Sequence, residues 1–221
     1  MRQLTINTFL TVDGVMQAPG GPEEDPTNGF THGGWSVNYW DGVMGRNMDE
    51  FMGHPFDLLL GRKTYEIFAA HWPHVTNDPA ADALNNATKY VASRTLSEVE
   101  WQNSQLIRGD VAQEVAKLKR GNGPEIQVHG SANLIQTLLK NELIDVYRLW
   151  IFPLVLGTGK RLFADGTIPG ALKLVDSKTS TTGVIIATFE PAGAIEYGSF
   201  ALDQPTEDEV ERRKALAVGA R

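Results

Sequence analysis

The sequence predicts an α/β fold built on a largely parallel sheet, with an antiparallel hairpin near its C-terminal end. Three observations carry this. Short apolar or alternating segments take turns with stretches of helical period along most of the chain, the pattern of strands joined by crossover helices. At three strand ends, in LLLGRKT, YVASRT and QVHGSAN, the extended segment runs into small, hydroxyl-bearing or basic residues. The stretch ALKLVDSKTSTTGVIIATFEP reads as two extended arms about a Thr-Thr-Gly turn.

In order, RQLTINTFLTVDG alternates Leu4, Ile6 and Leu10 with polar neighbours and reads as a strand ending at Asp13-Gly14. Residues 14–35 are dense in Gly, Pro and acidic residues and lack any apolar period, so they read as a loosely held lid. Tyr39 to Met52 places Tyr39, Val43, Met44, Met48, Phe51 and Met52 at helical spacing. A strand over Phe56 to Leu60 turns at Gly61-Arg62 into a helix from Thr64 to about His71, which Pro73 stops. A short helix follows, with Asp78 as N-cap and Pro79 at its first position. KYVASR and SQLIRG are strands, and DVAQEVAKLKRGNG is a helix capped by Asp110 and ended at Gly121. EIQV is a strand, HGS a turn, and Leu134, Ile135, Leu138 and Leu139 mark the next helix. IDVYRLWIFPLVLG reads as one long strand, and the polar tail DQPTEDEVERRKALAVGAR as a loose or surface helix.

The composition excludes several classes. With no cysteine there is no disulfide framework, thiolate nucleophile or Cys-based zinc site, which agrees with a cytoplasmic location. The N-terminal segment lacks the apolar core of a signal peptide, and LWIFPLVL falls far short of the roughly 20 residues of a membrane span. A net charge of −7 argues against a nucleic-acid partner, which calls for a basic stripe. The pair in HWPH straddles a proline with no acidic or Cys cluster to complete a metal site, so His71 and His74 read as a surface pair. His129, beside the small-residue turn, reads as structural. LGTGKRLF imitates a Walker A loop, but Leu154 stands where its first glycine belongs and Arg161 replaces the magnesium-binding hydroxyl. Neither G-x-G-x-x-G nor G-x-S-x-G opens a helix here.

What remains is the sheet edge onto which three strand ends converge. Gly61, Arg62, Lys63 and Thr64, then Ser93, Arg94 and Thr95, then Gly130, Ser131 and Asn133 combine close backbone approach, hydroxyls, helix-start N–H groups and guanidinium forks. Such a set suits an anionic ligand with more than one phosphate.

LLLGRKTYEIF, KYVASRTL, VHGSANLIQTLL and PLVLGTGKRLF, in this order, resemble the dihydrofolate reductase superfamily. The resemblance is to the branch related to the C-terminal reductase domain of the bifunctional riboflavin-biosynthesis deaminase/reductase, and it covers roughly residues 2–190. It implies a three-layer fold with a central, mostly parallel eight-stranded sheet and NADPH as hydride donor. It further implies Gly61, Arg62, Lys63 and Thr64 near the cofactor phosphates, Ser93 and Arg94 near the 2′-phosphate, and Val128, Gly130, Ser131, Ala132 and Asn133 around the pyrophosphate. The first carboxylate after Arg62, Glu66, is expected to turn away from this edge.

The superfamily's buried carboxylate on the first helix has no clean counterpart; Asp41 and Asp49 are the candidates for the proton donor. Trp35 and Trp40 flank the lid and are expected to wall the substrate side. The chain is thus expected to hold a reductase domain over 1–200 and a polar tail over 201–221. Its expected activity is NADPH-dependent reduction of a small heteroaromatic or carbonyl-like substrate, pterin- or riboflavin-precursor-like. The alternative is a non-catalytic nucleotide-binding or scaffold protein that retains the fold. A homodimer through the terminal strands is expected from the apolar LWIFPLVLG and the Val- and Ile-rich hairpin.

Overall fold

The structure is a computed structural model, and it describes residues 1–219. Alternating Leu4, Ile6 and Leu10 form β1 (Leu4–Thr11), and the helical period beyond the lid segment forms α1 (Gly42–Met52), begun by the side chain of Asp41. The apolar run of β2 (Phe56–Gly61) is buried along its whole length, as in a parallel strand covered on both faces. It is followed by α2 (Arg62–His71), α3 (Pro79–Asn86), β3 (Lys89–Ala92) and β4 (Ser104–Ile107). Asp78 caps α3 by accepting from the N–H groups of Ala80 and Ala81, and Asp110 caps α4 (Val111–Arg120) by accepting from Gln113. Next come β5 (Glu125–Val128), α5 (Ala132–Lys140) and β6 (Val146–Phe152). The long strand expected from Ile144 to Gly157 stops at Phe152, because Pro153 has no N–H to donate to a ladder. The hairpin is β7 (Leu172–Thr179) and β8 (Ile185–Pro191), and α6 (Glu207–Gly219) is a surface helix laced by pairs of Glu209 with Arg212 and Arg213.

The eight strands form one sheet in the order β4-β3-β2-β5-β1-β6-β8-β7, with every pairing parallel except β6–β8 and β8–β7. One face packs Leu4, Ile6, Ile126 and Val128 against Val115, Leu134, Ile135 and Leu138 of α4 and α5. On the other face Phe56, Leu58 and Leu60 meet Tyr65 and Leu84 of α2 and α3, while Met44 of α1 meets Trp150 and Phe152. The result is three layers of dihydrofolate reductase-like architecture, helix–sheet–helix. From β1 the chain crosses to β2 and leaves a slot that β5 later fills; it then returns to β6 on the far side of β1. In such sheets ligands bind beyond the C-terminal strand ends where the strand order reverses, here the ends of β2, β5 and β1.

Candidate active site

Two helices start at that crevice. Gly61 ends β2 and precedes α2; Ser131 precedes α5; neither supplies a side-chain cap. The first N–H groups of both helices are therefore unclaimed by side chains at their caps, and two dipole ends point into one space. The turns pack closely: the N–H of Gly61 donates to the carbonyl of Gly130 at 3.2 Å, and a β-carbon on Gly61 would stand 1.9 Å from Ser131 Oγ. One on Gly130 would stand 2.5 Å from Thr64 Oγ1. The Gly130–Ser131 peptide is cis.

These turns form one end of a cleft of about 1120 Å³. Its walls include Lys63, Thr64, Gly130, Ser131 and Ala132 at the end formed by the helix starts, Asn7, Thr8 and Phe9 of β1 beneath, and Trp40 at the side. Trp40 is 47% exposed and lies parallel on Trp150, with centroids 6.1 Å apart and planes 6° apart. That leaves one indole face for a planar ligand.

Trp35, the other expected wall, lies elsewhere. Its ring meets Phe152 edge-on and its Nε1 donates to the carbonyl of Gln17, so it braces the loop and does not line the cleft. Asp41 is the N-cap of α1; one oxygen accepts from Met44 N–H and the other from the Thr181 N–H and hydroxyl. The Thr181 hydroxyl first, then the Met44 N–H, hold its carboxyl down to about 2, the wrong direction for a proton donor. Asp49 is exposed on the outer side of α1, whose inward positions are Met44, Asn47 and Met48. Both carboxylates stand outside the cleft.

At the end of β3, Ser93 is buried and its hydroxyl accepts from Thr95 and Leu96 N–H, which shapes the turn after the strand. Arg94 is exposed beside it. Glu66 is turned toward this edge, contrary to expectation: the i,i+4 step on α2 brings its Oε1 to 2.6 Å from Arg62 Nε, and Arg62 also reaches Thr95 Oγ1. The side chain of Val128 packs into the core on the α5 side, and Asn133 is exposed in the first turn of α5.

The 14–35 segment is far better held than its composition suggests. Val15, Met16, Ala18 and Phe30 are buried, and Gln17 donates to the carbonyls of Asp25 and Thr27. Lys160, from the rejected LGTGKRLF motif, places Nζ 2.5 Å from Asp25 Oδ2 and 2.9 Å from Thr27 Oγ1, while its N–H donates to Gln17 Oε1. Gly159 makes this approach, at φ +123° and with Val15 and Phe30 so close that a β-carbon would lie 2.6 Å from one and 2.9 Å from the other.

The clasped loop delivers three of the four acids that line the cleft, Glu23, Glu24 and Asp25; the fourth, Asp78, is occupied as the cap of α3. Glu24 takes the N–H groups of Gly20 and Gly21 on Oε2 alone. Burial pushes the Glu24 carboxyl up, against the pull of those two N–H groups. Asp25, beside it, is held down despite its burial by Lys160 and Thr27. Neighbouring carboxylates driven in opposite directions are how one site keeps an acid and a charge at the same pH. His71 stands at the rim with His74 outside the cleft, and the described residues hold no cluster able to bind a metal.

A protein-family model described as the RibD C-terminal domain matches residues 2–186. The chain belongs to the RibD C-terminal domain family. The Bacillus subtilis (strain 168) protein YyaP is 31% identical over 193 residues, covering 83% of this chain and 92% of its own. Among solved structures, a pyrimidine reductase-like protein from Corynebacterium diphtheriae superposes with a TM-score of 0.57 at 12% identity, over 86% of this chain and 92% of its own. The dihydrofolate reductase of Enterococcus faecalis complexed with NADP(H) gives 0.53 at 15% identity, over 86% and 96%. At these identities the structural likeness establishes the fold.

Proposed function

We propose that this member of the family is an NADPH-dependent reductase of a small planar substrate, heteroaromatic or carbonyl-like, of the size of a pterin or a riboflavin precursor. The observation that carries this reading is the meeting of two uncapped helix starts and Lys63 with the Trp40 shelf in one cleft. The residues present fit a dinucleotide: the turns at Gly61 and Gly130 pack so closely that neither has room for a side chain, which brings two uncapped helix starts together where a diphosphate could accept from their N–H groups. Gly61, Lys63, Thr64 and residues 130–133 would hold it, with Arg94 at the 2′-phosphate. When bound, NADPH supplies the hydride. The chain's own part is to orient a flat ring on Trp40, to exclude water with the clasped loop and to hold a proton on Glu24, whose Oε1 has no partner among the described residues. Titration of NADPH by fluorescence, followed by a substrate screen for loss of reduced-nicotinamide absorbance, tests the reading. Cofactor binding without turnover of any substrate would favour a scaffold role.

The cofactor preference gives a sharper test. Arg62 shares its charge with Glu66, whereas Arg94 has no ion pair among the described residues; Arg108, the other guanidinium after these strands, donates to the carbonyl of Ser97. A charge-assisted hydrogen bond contributes on the order of 1.5–3 kcal/mol, and about 1.4 kcal/mol is one factor of ten. Arg94→Ala is expected to weaken NADPH about tenfold or more, to leave NADH nearly unchanged and to lower the salt sensitivity of NADPH binding. Equal losses for the two cofactors would assign Arg94 to the fold.

We also propose that the protein is a homodimer. Every residue of edge strand β7 is exposed, Leu174 and Val175 among them, and its outer N–H and C=O groups have no strand partner among the described residues. Light scattering is expected to give twice the 24.3 kDa chain mass at micromolar concentration; the single mass would overturn this.

A further inference from the structure

The face of the sheet beneath α1 carries a chain of polar side chains in the molecule's interior. Arg148 NH1 stands 2.9 Å from Glu125 Oε1, and Gln127, fully buried, follows on the same strand face. Gln127 Nε2 lies 3.2 Å from Glu125 Oε2 and 3.4 Å from the carbonyl of Phe51. Both are acceptors, so the amide nitrogen faces them and Oε1 faces His129 Nε2, 3.3 Å away. His129 must therefore donate through Nε2. Burial pushes its pKa down to about 4, with Glu125 opposing and Arg148 adding to the shift, so the ring is neutral at pH 7 and Nδ1 is a bare acceptor. Nδ1 is not among the buried unpartnered atoms, and His129 lines the cleft.

Asn7 is fixed by the same logic. Trp150 Nε1, which can only donate, lies 3.2 Å from Asn7 Oδ1, so the amide orientation is set and Nδ2 points elsewhere. Asn7 is 3% exposed, lines the cleft, and its Nδ2 is buried with no partner. A buried donor left unmet is destabilising, so its retention calls for a partner. Strands β1 and β5 run in register through Ile6 and Val128, so the next residues, Asn7 and His129, stand side by side on the opposite face from that pair.

We propose that Asn7 and His129 are a donor–acceptor pair that reads the amide edge of a ligand, a C=O beside an N–H, in the cleft under Trp40. The carbonyl would accept from Asn7 Nδ2, and the N–H would donate to His129 Nδ1. Gln127 is a positioning residue that selects the imidazole tautomer. This deepens the reductase reading by naming the ligand edge and rests on it for the identity of the cleft. A cyclic amide in a substrate ring and the carboxamide of a nicotinamide share this chemistry.

The test uses binding, with 2-pyridone as probe against 1-methyl-2-pyridone, which lacks the N–H. Nitrogen-15 NMR of the histidines should show His129 protonated on Nε2 alone at neutral pH, with its Nδ1 signal shifting on addition of 2-pyridone. The methylated probe should bind at least about tenfold more weakly, the loss expected for one unmet hydrogen bond. His129→Phe should erase that discrimination and Gln127→Met should reduce it, whereas Asn7→Leu, which removes the donor to the carbonyl that both probes carry, should weaken both alike. Saturating NADPH separates the two sources of the edge: it blocks 2-pyridone if the cofactor's carboxamide sits there and leaves it bound if a substrate does. An Nδ1–H tautomer, no saturable binding up to millimolar probe, or equal affinities for the two probes would overturn the pair. Failure of NADPH to bind while discrimination persists would instead sink the reductase reading and leave the pair standing.

Discussion

Replacing Glu24 by Gln is expected to cut turnover about a hundredfold or more, the usual worth of a positioned general acid, with NADPH affinity nearly unchanged. The amide keeps an acceptor for the N–H groups of Gly20 and Gly21, so the loop should hold its shape while the removable proton is lost. The direction of the pH dependence follows from the burial of Glu24, which raises its folded-state pKa above the ordinary carboxylate value. The protonated form persists above that ordinary range, and turnover should fall as pH rises through the folded pKa. Stability carries the same sign: the contribution of a raised carboxyl is present in full below the unfolded pKa and is lost as pH rises through the folded one. The melting temperature of the unmodified protein should therefore drop relative to that of the Gln variant over that interval. A pH–rate profile whose falling limb survives in the variant would show that the proton comes from water or from another group.

Gly61→Ala is expected to weaken NADPH binding at least about tenfold and to lower the melting temperature by several degrees. Gly61 has φ −75° and ψ 160°, ordinary extended backbone, so the cost is steric alone. The new β-carbon would meet Ser131 Oγ at 1.9 Å, the Ser131 nitrogen at 3.1 Å and its β-carbon at 3.2 Å. Rotating the hydroxyl relieves the first contact; the other two involve backbone and β-carbon, so the 130–132 turn must shift. Overpacking of this kind costs about 1–3 kcal/mol, and a chain of this size loses roughly 2–4 °C per kcal/mol. Adding Ser131→Gly removes both offending side-chain atoms, and the double variant should recover most of the melting temperature. A single variant that melts early yet binds NADPH normally would place the dinucleotide away from these helix starts.

The fold class was legible in the local pattern of the chain, and so were the two helix starts that meet in the cleft. Strand and helix periods, the caps Asp78 and Asp110, and the strand–turn–helix junctions at Gly61 and Gly130 are set within windows of a few residues, so they are legible in a linear pattern. Lys63, Thr64, Ser131 and Trp40 line the cleft as their types suggested. The rest of the cleft was decided by contacts no window contains. Lys160 clasps Asp25 across 135 positions, Trp150 orients Asn7 across 143, and Thr181 occupies the second oxygen of Asp41 across 140. Composition made the 14–35 segment look loose because glycine and proline carry no apolar period, yet a few buried side chains and one lysine hold it. Asp49 and Asp41 were attractive because they lie on or beside the first helix, but a helix turns successive residues through about 100° and only packing decides which face meets the sheet. A carboxylate's protonation state and an imidazole's tautomer depend on burial and on partners brought from other strands. Glu24 and His129 therefore acquired their chemistry only when the chain closed around them.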